Sequence, residues 1–425
     1  ELLWPMSMPC FINNQDEIPI ANFGKSNVGT MKRVYRKGLK NRYGSMMQAI
    51  AGIHYNFSLP PEFWSHYQMV LGQGGSLQDF QSDQYMRMVR NIKRYLWLVI
   101  YLFGASPAMC RSFLEGDTDA LPFESLGEGT VYLPHATSLR MSDLGYTNNA
   151  QASLNVEYHN LPDYITKLRQ AIRTGSEEYK KIGIKIGKDY QQLNSNILQI
   201  ENELYAPVRP KQITRSGEKP TDALADRGIM YVELRALDVN PYSAVGISKE
   251  QMRVLDIFMM YCLFNDNDEL TSEQQIESEE NQDRIVLNGR AEQLELLLNG
   301  QPKDRNEWLK EIYNDMQKVA AWLDNHYGGM HYTMALQVIA PSITDPAKTL
   351  SGKLLATMLA QNKDNGCLGL EFAKQYYTVN AQHQPKQFKA SFLIEQGLKS
   401  LEKQRVIESE DKISFDQFLS NYFGS

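Results

Sequence analysis

The chain has 425 residues, and at about 150 residues per domain it has room for two or three domains that bury their cores without staples. Hydrophobic residues make up 42% and charged residues 22%, with 28 Gly and 17 Pro, which excludes a collagenous, low-complexity or wholly disordered chain. With 44 basic and 50 acidic residues the net charge is -6, so the surface as a whole does not attract polyanions and any anion site must be local.

The chain opens Glu1-Leu2-Leu3-Trp4-Pro5, without a signal peptide or initiator methionine, and reads like the interior of a protein. The first dense feature packs Lys32, Arg33, Arg36, Lys37, Lys40 and Arg42 around Tyr35 and Tyr43. The spacing lines up 32, 36 and 40 on one helical face. Basic residues among aromatics can mean nucleic acid, but an acidic chain favours a solvated basic face or the capture of one phosphate or carboxylate ligand. Next, Gly52 to Leu59 alternates with period 2: Ile53, Tyr55, Phe57 and Leu59 on one face, His54, Asn56 and Ser58 on the other.

A long helix is expected from about Ser82 to Phe103, ended by Gly104, and Ser106-Pro107 predicts the start of another. The apolar run from Tyr95 to Cys110 is shorter than the ~20 residues of a membrane span and is broken by Gly104 and Pro107, so it is read as buried helix and exit loop. Ile197 to Tyr205 alternates again, which predicts a strand with Gln199, Glu201 and Glu203 on one face and its carboxylates ~7 Å apart. Met230 to Leu237 predicts a third strand with Tyr231, Glu233 and Arg235 on one face and Val232, Leu234 and Ala236 toward the core. Ser248 and Gln251 have capping-box spacing ahead of another helix.

Between Asn265 and Asp283 acidic residues abound and basic ones are missing, the composition of a solvated linker or mobile loop. This divides the chain into a sheet domain over 1–264, an acidic segment over 265–283 and a helical C-terminal region over 284–425. Leu294, Leu297 and Leu298 are assigned to that helical pattern, and the tail from Thr378 is polar and weakly patterned.

One imidazole and three carboxylates, His54, Glu201, Glu203 and Glu233, suit a hard divalent cation such as Mg²⁺, with Mn²⁺ also possible. Arg235 beside them suits phosphoryl transfer. Taken singly, a strand histidine is usually a satisfied structural residue and a Glu-x-Glu face usually solvated; three polar-faced strands together point to a functional sheet face. Gly24-Lys25-Ser26 mimics the end of a P-loop, but Pro19 stands where its first glycine belongs, and neither H-E-x-x-H nor G-x-S-x-G occurs. Cys10, Cys110, Cys262 and Cys367 form no C-x-x-C pair, which predicts reduced thiols and a cytoplasmic protein.

Several runs resemble the proteobacterial type of glutamate–cysteine ligase: Trp4-Pro5-Met6-Ser7-Met8-Pro9-Cys10, Tyr35-Arg36-Lys37-Gly38-Leu39-Lys40-Asn41-Arg42-Tyr43-Gly44 and Gly52-Ile53-His54-Tyr55-Asn56-Phe57-Ser58-Leu59-Pro60. So do Tyr101 to Pro107, Thr137 to Tyr146, Gln199 to Pro207 and Tyr231 to Pro241. The resemblance is dense to about residue 264. It implies an α+β fold akin to glutamine synthetase, a curved antiparallel sheet forming a funnel with helices around it. It also implies joining of the glutamate γ-carboxylate to the cysteine amine with ATP as co-substrate, through a γ-glutamyl phosphate, the first step of glutathione synthesis. His54 and Glu233 look like metal ligands and Arg235 like the phosphate-side guanidinium. Tyr35, Leu39, Gln48, Arg140, Tyr146 and Tyr205 resemble the cysteine pocket, with Arg140 a carboxylate clamp, and Asn56 is counted with the substrate-binding residues.

The family carries a Glu-x-Glu segment ahead of the Trp4 run that completes the metal cluster. This chain starts after that point, so part of the ligand set is expected to be missing. The expected partners are glutamate, cysteine and ATP, with no nucleic acid or membrane, and the expected state is a monomer. Two other readings stand beside this one: a truncated scaffold that binds nucleotide or amino acid without turnover, and a related carboxylate–amine ligase with a different acceptor.

Overall fold

The computed structural model describes residues 1–114, 121–144, 154, 156–267, 269–382 and 387–424. In chain order its helices are α1 (Asn27–Tyr43), α2 (Pro61–Val70), α3 (Leu77–Phe103), α4 (Leu161–Ala171), α5 (Glu177–Ile182), α6 (Pro220–Arg227) and α7 (Lys249–Phe264). They continue as α8 (Ser272–Asn288), α9 (Arg305–Tyr327), α10 (His331–Thr344), α11 (Leu350–Gln361), α12 (Asn365–Gln382), α13 (Ala390–Glu410) and α14 (Phe415–Gly424). The strands are β1 (Ile53–Phe57), β2 (Ala108–Cys110), β3 (Glu124–Leu126), β4 (Thr130–Tyr132), β5 (Lys185–Ile186), β6 (Asp189–Tyr190), β7 (Val208–Lys211), β8 (Tyr231–Leu237), β9 (Glu295–Leu298) and β10 (Gln301–Asp304). The architecture is mixed α and β, with long helices around small antiparallel sheets.

The centre of the molecule is α3. Ser76 caps it by accepting from the Asp79 amide, and from Tyr95 to Phe103 every side chain is buried, as the all-round apolar sequence there predicts. It packs against α7, α8 and the strands β7 and β8. Fully burying each Leu, Ile, Val or Phe contributes about 1.5–3 kcal/mol, so this helix anchors the core. The same apolar cluster takes in Trp308, Leu309 and Ile312 of α9 and Leu336 and Ile339 of α10, and so continues across the acidic segment. At α7 both halves of the expected capping box form between Ser248 and Gln251.

The sheet that positions the site is three-stranded, in the order β1-β8-β7 and antiparallel throughout. Its register sets Asn56 opposite Glu233 from one side and Arg209 opposite Glu233 from the other. Val232, Leu234 and Ala236 face the core as their alternation predicts.

Four expectations are corrected. Pro107 starts no helix: Ala108–Cys110 is a buried strand on β4, because three apolar residues carry no period of their own and pairing with Thr130–Tyr132 decides the outcome. Ile197 to Tyr205 is not a strand. Side chains satisfy its backbone, with Gln199 N–H donating to Glu203 and Asn194 Nδ2 to the Gln199 carbonyl, and Glu201–Glu203 forms a single 3₁₀ turn. Most of the acidic 265–283 segment lies in α8, capped by Thr271 and Gln274, whose polar residues are buried because they find partners: the Asn281 side-chain amide bonds both the N–H and the carbonyl of Leu297. Leu297 and Leu298 lie not in a helix but in the β9–β10 hairpin, turned by Asn299 at φ 54° and Gly300 at φ 73°. The weakly patterned tail holds α13 and α14.

Candidate functional site

The polar face of β8 and β7 lines a cavity of about 670 Å³, with α1, the 214–218 loop and α14 on its other sides. Helix α1 is capped by Ser26, whose hydroxyl accepts from the Gly29 amide, and ends at Gly44, whose φ of 80° suits a residue without a Cβ. It lines the cavity with Val28, Met31, Lys32, Tyr35 and Arg36, spaced as one helical stripe.

Glu233 is the pivot of this face. Its Oε1 lies 3.4 Å from His54 Nδ1, and its Oε2 lies 3.7 Å from an Arg235 guanidinium nitrogen and 4.0 Å from Lys211 Nζ. Burial raises the Glu233 pKa, but the His54 hydrogen bond and the charges of Lys211 and Arg235 outweigh it and bring the group to about 2. It is therefore a carboxylate at neutral pH. Burial, with Arg209 and Arg235 nearby, pushes the Lys211 ammonium below its ordinary range, against the pull of Glu233.

Charge in the cavity is lopsided. Lys32, Arg36, Arg209, Lys211, Arg215 and Arg235 line it with only Glu218 and Glu233 as acids, and Glu218 is held by Arg227 at 2.8 Å. Such a charge balance favours an anion over a cation, and guanidinium groups suit phosphate or carboxylate oxygens. A larger cleft of about 1180 Å³ runs beside the other face of α1, lined by acids as well as bases, and six of its charges are closed in pairs: Lys37 with Asp189 at 2.5 Å, Lys40 with Asp16 at 2.9 Å and Lys185 with Asp416 at 2.6 Å. The basic run of α1 is thus divided between two clefts, and Arg42 turns inward.

His54, Asn56, Glu233 and Arg235 are brought together on two neighbouring strands, with Tyr35 across the cavity. Glu201 and Glu203 are not side by side on a strand. Glu201 accepts from the Thr221 hydroxyl at 2.9 Å; Glu203 is buried against Arg42 at 3.1 Å and accepts from Tyr43 Oη at 2.8 Å and Gln199 N at 2.7 Å. Burial pushes the Glu203 carboxyl up and Arg42 opposes it. These bonds fasten α1 to the 194–204 loop. Among the described residues no three His, Cys, Asp or Glu side chains group so as to hold a metal.

Arg140 is buried under the end of the sheet, with Nε 2.6 Å from Asp238 Oδ1 and an Nη donating to the Arg235 carbonyl at 3.2 Å. Asp238 also accepts from the Ala105 amide and the hydroxyls of Ser106 and Ser138. Gln48 donates to the Arg36 carbonyl at 3.4 Å, the Tyr205 hydroxyl reaches Met141 Sδ at 3.5 Å, and Leu39 is buried in α1; Tyr146 lies outside the described residues. Sequence reasoning missed Arg209, Lys211 and Asp238. The alternation of 208–211 is too short to read, but the position of Asp238 directly after a polar-faced strand was a usable signal.

The family model for glutamate–cysteine ligase matches residues 1–285. A glutamate–cysteine ligase of Pseudoalteromonas translucida is 48% identical over 423 residues, covering 100% of this chain and 81% of its own length. One from Shewanella pealeana is 44% identical over 430 residues, covering 99% and 81%. Among solved structures, glutamate–cysteine ligase from Francisella tularensis in complex with AMP is similar with a TM-score of 0.91 and 33% identity, over 100% of this chain and 82% of that one. A bifunctional glutathione synthetase from Pasteurella multocida shares the fold, with a TM-score of 0.67 and 23% identity over 88% of this chain and 42% of that one.

Proposed function

The chain belongs to the glutamate–cysteine ligase family, and from that premise we propose that it joins the γ-carboxylate of glutamate to the amine of cysteine at the expense of ATP, through a γ-glutamyl phosphate. The observation that carries this reading is the cationic cavity built around the ionised Glu233. The AMP bound to the Francisella relative supports a nucleotide as its ligand.

A carboxylate resists attack by an amine because its leaving group would be oxide. Phosphorylation replaces that leaving group with phosphate. In this reading Arg235 and Lys211 flank the transferring phosphoryl group and offset the charge that builds on its oxygens. Arg235 is held beside Glu233 at 3.7 Å and its backbone by the Arg140 bond, so it is positioned before substrate arrives. Glu233 Oε2 is buried and accepts no hydrogen bond, which leaves an acceptor that fits a cation. His54 and Glu233 are the residues that would hold a Mg²⁺ ion, which when bound neutralises and polarises phosphate oxygens. Glu201 and Glu203 leave this ligand set because their oxygens are engaged with Thr221, Arg42 and Tyr43. Arg140, with Asp238 holding it, and Tyr205 are assigned to the cysteine side. The three-stranded sheet with its polar face is taken as part of a funnel akin to that of glutamine synthetase. The reading is tested by ADP release from MgATP with glutamate and cysteine, each alone and together; a release that needs both is expected.

A further inference from the structure

The cavity has an aromatic side as well as a cationic one. Phe418 and Tyr422 of α14 line it one helical turn apart, their rings stacked with centroids 6.5 Å apart and planes at 23°. Both are half-buried. Between them Leu419 is buried against Met31 and Val34 of α1, which fixes the rotation of the helix and turns the two rings toward the cavity. The outer side of α14 is fastened to the β5–β6 hairpin, with Asp416 accepting from Lys185 and Tyr190 and the Phe415 ring edge-on to Tyr190 at 5.1 Å. Lys219 Nζ sits 5.5 Å from the centre of the Tyr422 ring.

A nucleotide needs two unlike surfaces, one for its phosphates and one for a flat base. Arg235, Lys211 and Arg36 supply the first. Two adjacent rings left partly uncovered inside the same cavity supply the second, because stacking a base on them buries apolar area that is otherwise wet. The volume of about 670 Å³ lies within the ~300–1000 Å³ of small-molecule sites. We propose that Phe418 and Tyr422 receive the nucleobase of ATP, so that the C-terminal helix sets nucleotide affinity while the sheet does the chemistry. This rests on the reading of the protein as an ATP-dependent ligase.

The test uses the full chain with Phe418→Leu and Tyr422→Leu, and Tyr422→Phe as the variant that keeps the ring. Each Leu variant is expected to raise the KM for ATP by about fivefold or more, the scale of one lost stacking contact. The kcat, the KM for glutamate and the affinity for inorganic tripolyphosphate should stay near wild type, and Tyr422→Phe should behave as wild type. An unchanged KM for ATP in both Leu variants overturns the assignment. So does a parallel loss of tripolyphosphate affinity, which would mean that the helix only shapes the cavity. Should the Leu variants not fold, hydrogen exchange on the wild-type chain decides: AMP slows exchange across 415–424 and tripolyphosphate does not, and no slowing by AMP overturns the proposal. A wild-type chain that neither binds nor hydrolyses ATP overturns the ligase reading itself, an outcome distinct from the others.

Discussion

At the scale of single residues the site turns on which effect wins at Glu233. Burial favours the neutral acid, and three nearby cationic or hydrogen-bonding groups favour the carboxylate; they prevail and bring the group to about 2, so it carries its charge at pH 7. Glu233→Gln keeps the shape and removes the charge, and is expected to lower kcat on the order of 100-fold while the chain stays folded, as steady-state assays with parallel thermal melts would show. Asp238 is a different case. It is buried with four donors aimed at it, so Asp238→Asn turns an acceptor into a group that opposes one of them. Stability should fall on the order of 3 kcal/mol, and the KM for cysteine should rise more than that for ATP, because Arg140 loses its support. Equal changes in both constants would deny Asp238 a positioning role. At this scale the sequence was informative where a side chain belonged to a period, as His54, Glu233 and Arg235 do. It was silent where a role depends on a partner far along the chain: nothing local in Arg42 or Glu203 announces that they meet across some 160 positions.

At the scale of elements, close approach decides the sign of substitutions. Gly38 lies inside α1, where alanine normally stabilises a helix by about 1 kcal/mol. Here an added Cβ would lie 2.1 Å from Gln199 Oε1, a buried oxygen that accepts from the Leu193 amide and has nowhere to go. Gly38→Ala should therefore lower stability by about 1–3 kcal/mol, measured by denaturant unfolding, and loosen the loop that Glu203 fastens. In α3, Lys93 is buried, paired with Glu279 at 3.4 Å and set over the Tyr158 ring at 4.7 Å. Burial pushes its pKa down, against the pull of Glu279. The folded state thus disfavours the ammonium, a cost that is complete below the lowered pKa and fades as pH rises toward the ordinary lysine range. Lys93→Met should raise the melting temperature by about 1 °C or more at pH 7, and the gain should shrink near pH 10. The elements misread from sequence share one cause: short alternating or acidic stretches have no period that tertiary partners cannot override, as 197–205 and α8 show. The Asn299-Gly300 turn was legible and was hidden by leucines counted as helical.

For the whole molecule, the site is assembled from both ends of the chain. The sheet and α1 come from the first 237 residues, and α14 from the last eleven closes the cavity they form. The core is likewise shared, since α9 and α10 pack into the cluster centred on α3. The N-terminal run Trp4 to Met8 is packed on α11 and α12 through Trp4, Met6 and Met358, which ties the beginning of the chain to its helical end. Two strands of the polar-faced sheet, β1 and β8, and the family motifs could be read from sequence because they are local and ordered. The closure by α14 could not: Phe415, Phe418, Leu419, Tyr422 and Phe423 repeat at helical spacing, but nothing local shows that this face meets α1 at the other end of the chain. On the proposed function, this assembled cavity turns over ATP only when both amino acids are present. ADP release by the purified 425-residue chain with MgATP tests it most directly: release that requires glutamate and cysteine together is predicted, and release indifferent to the amino acids, or none at all, would contradict it.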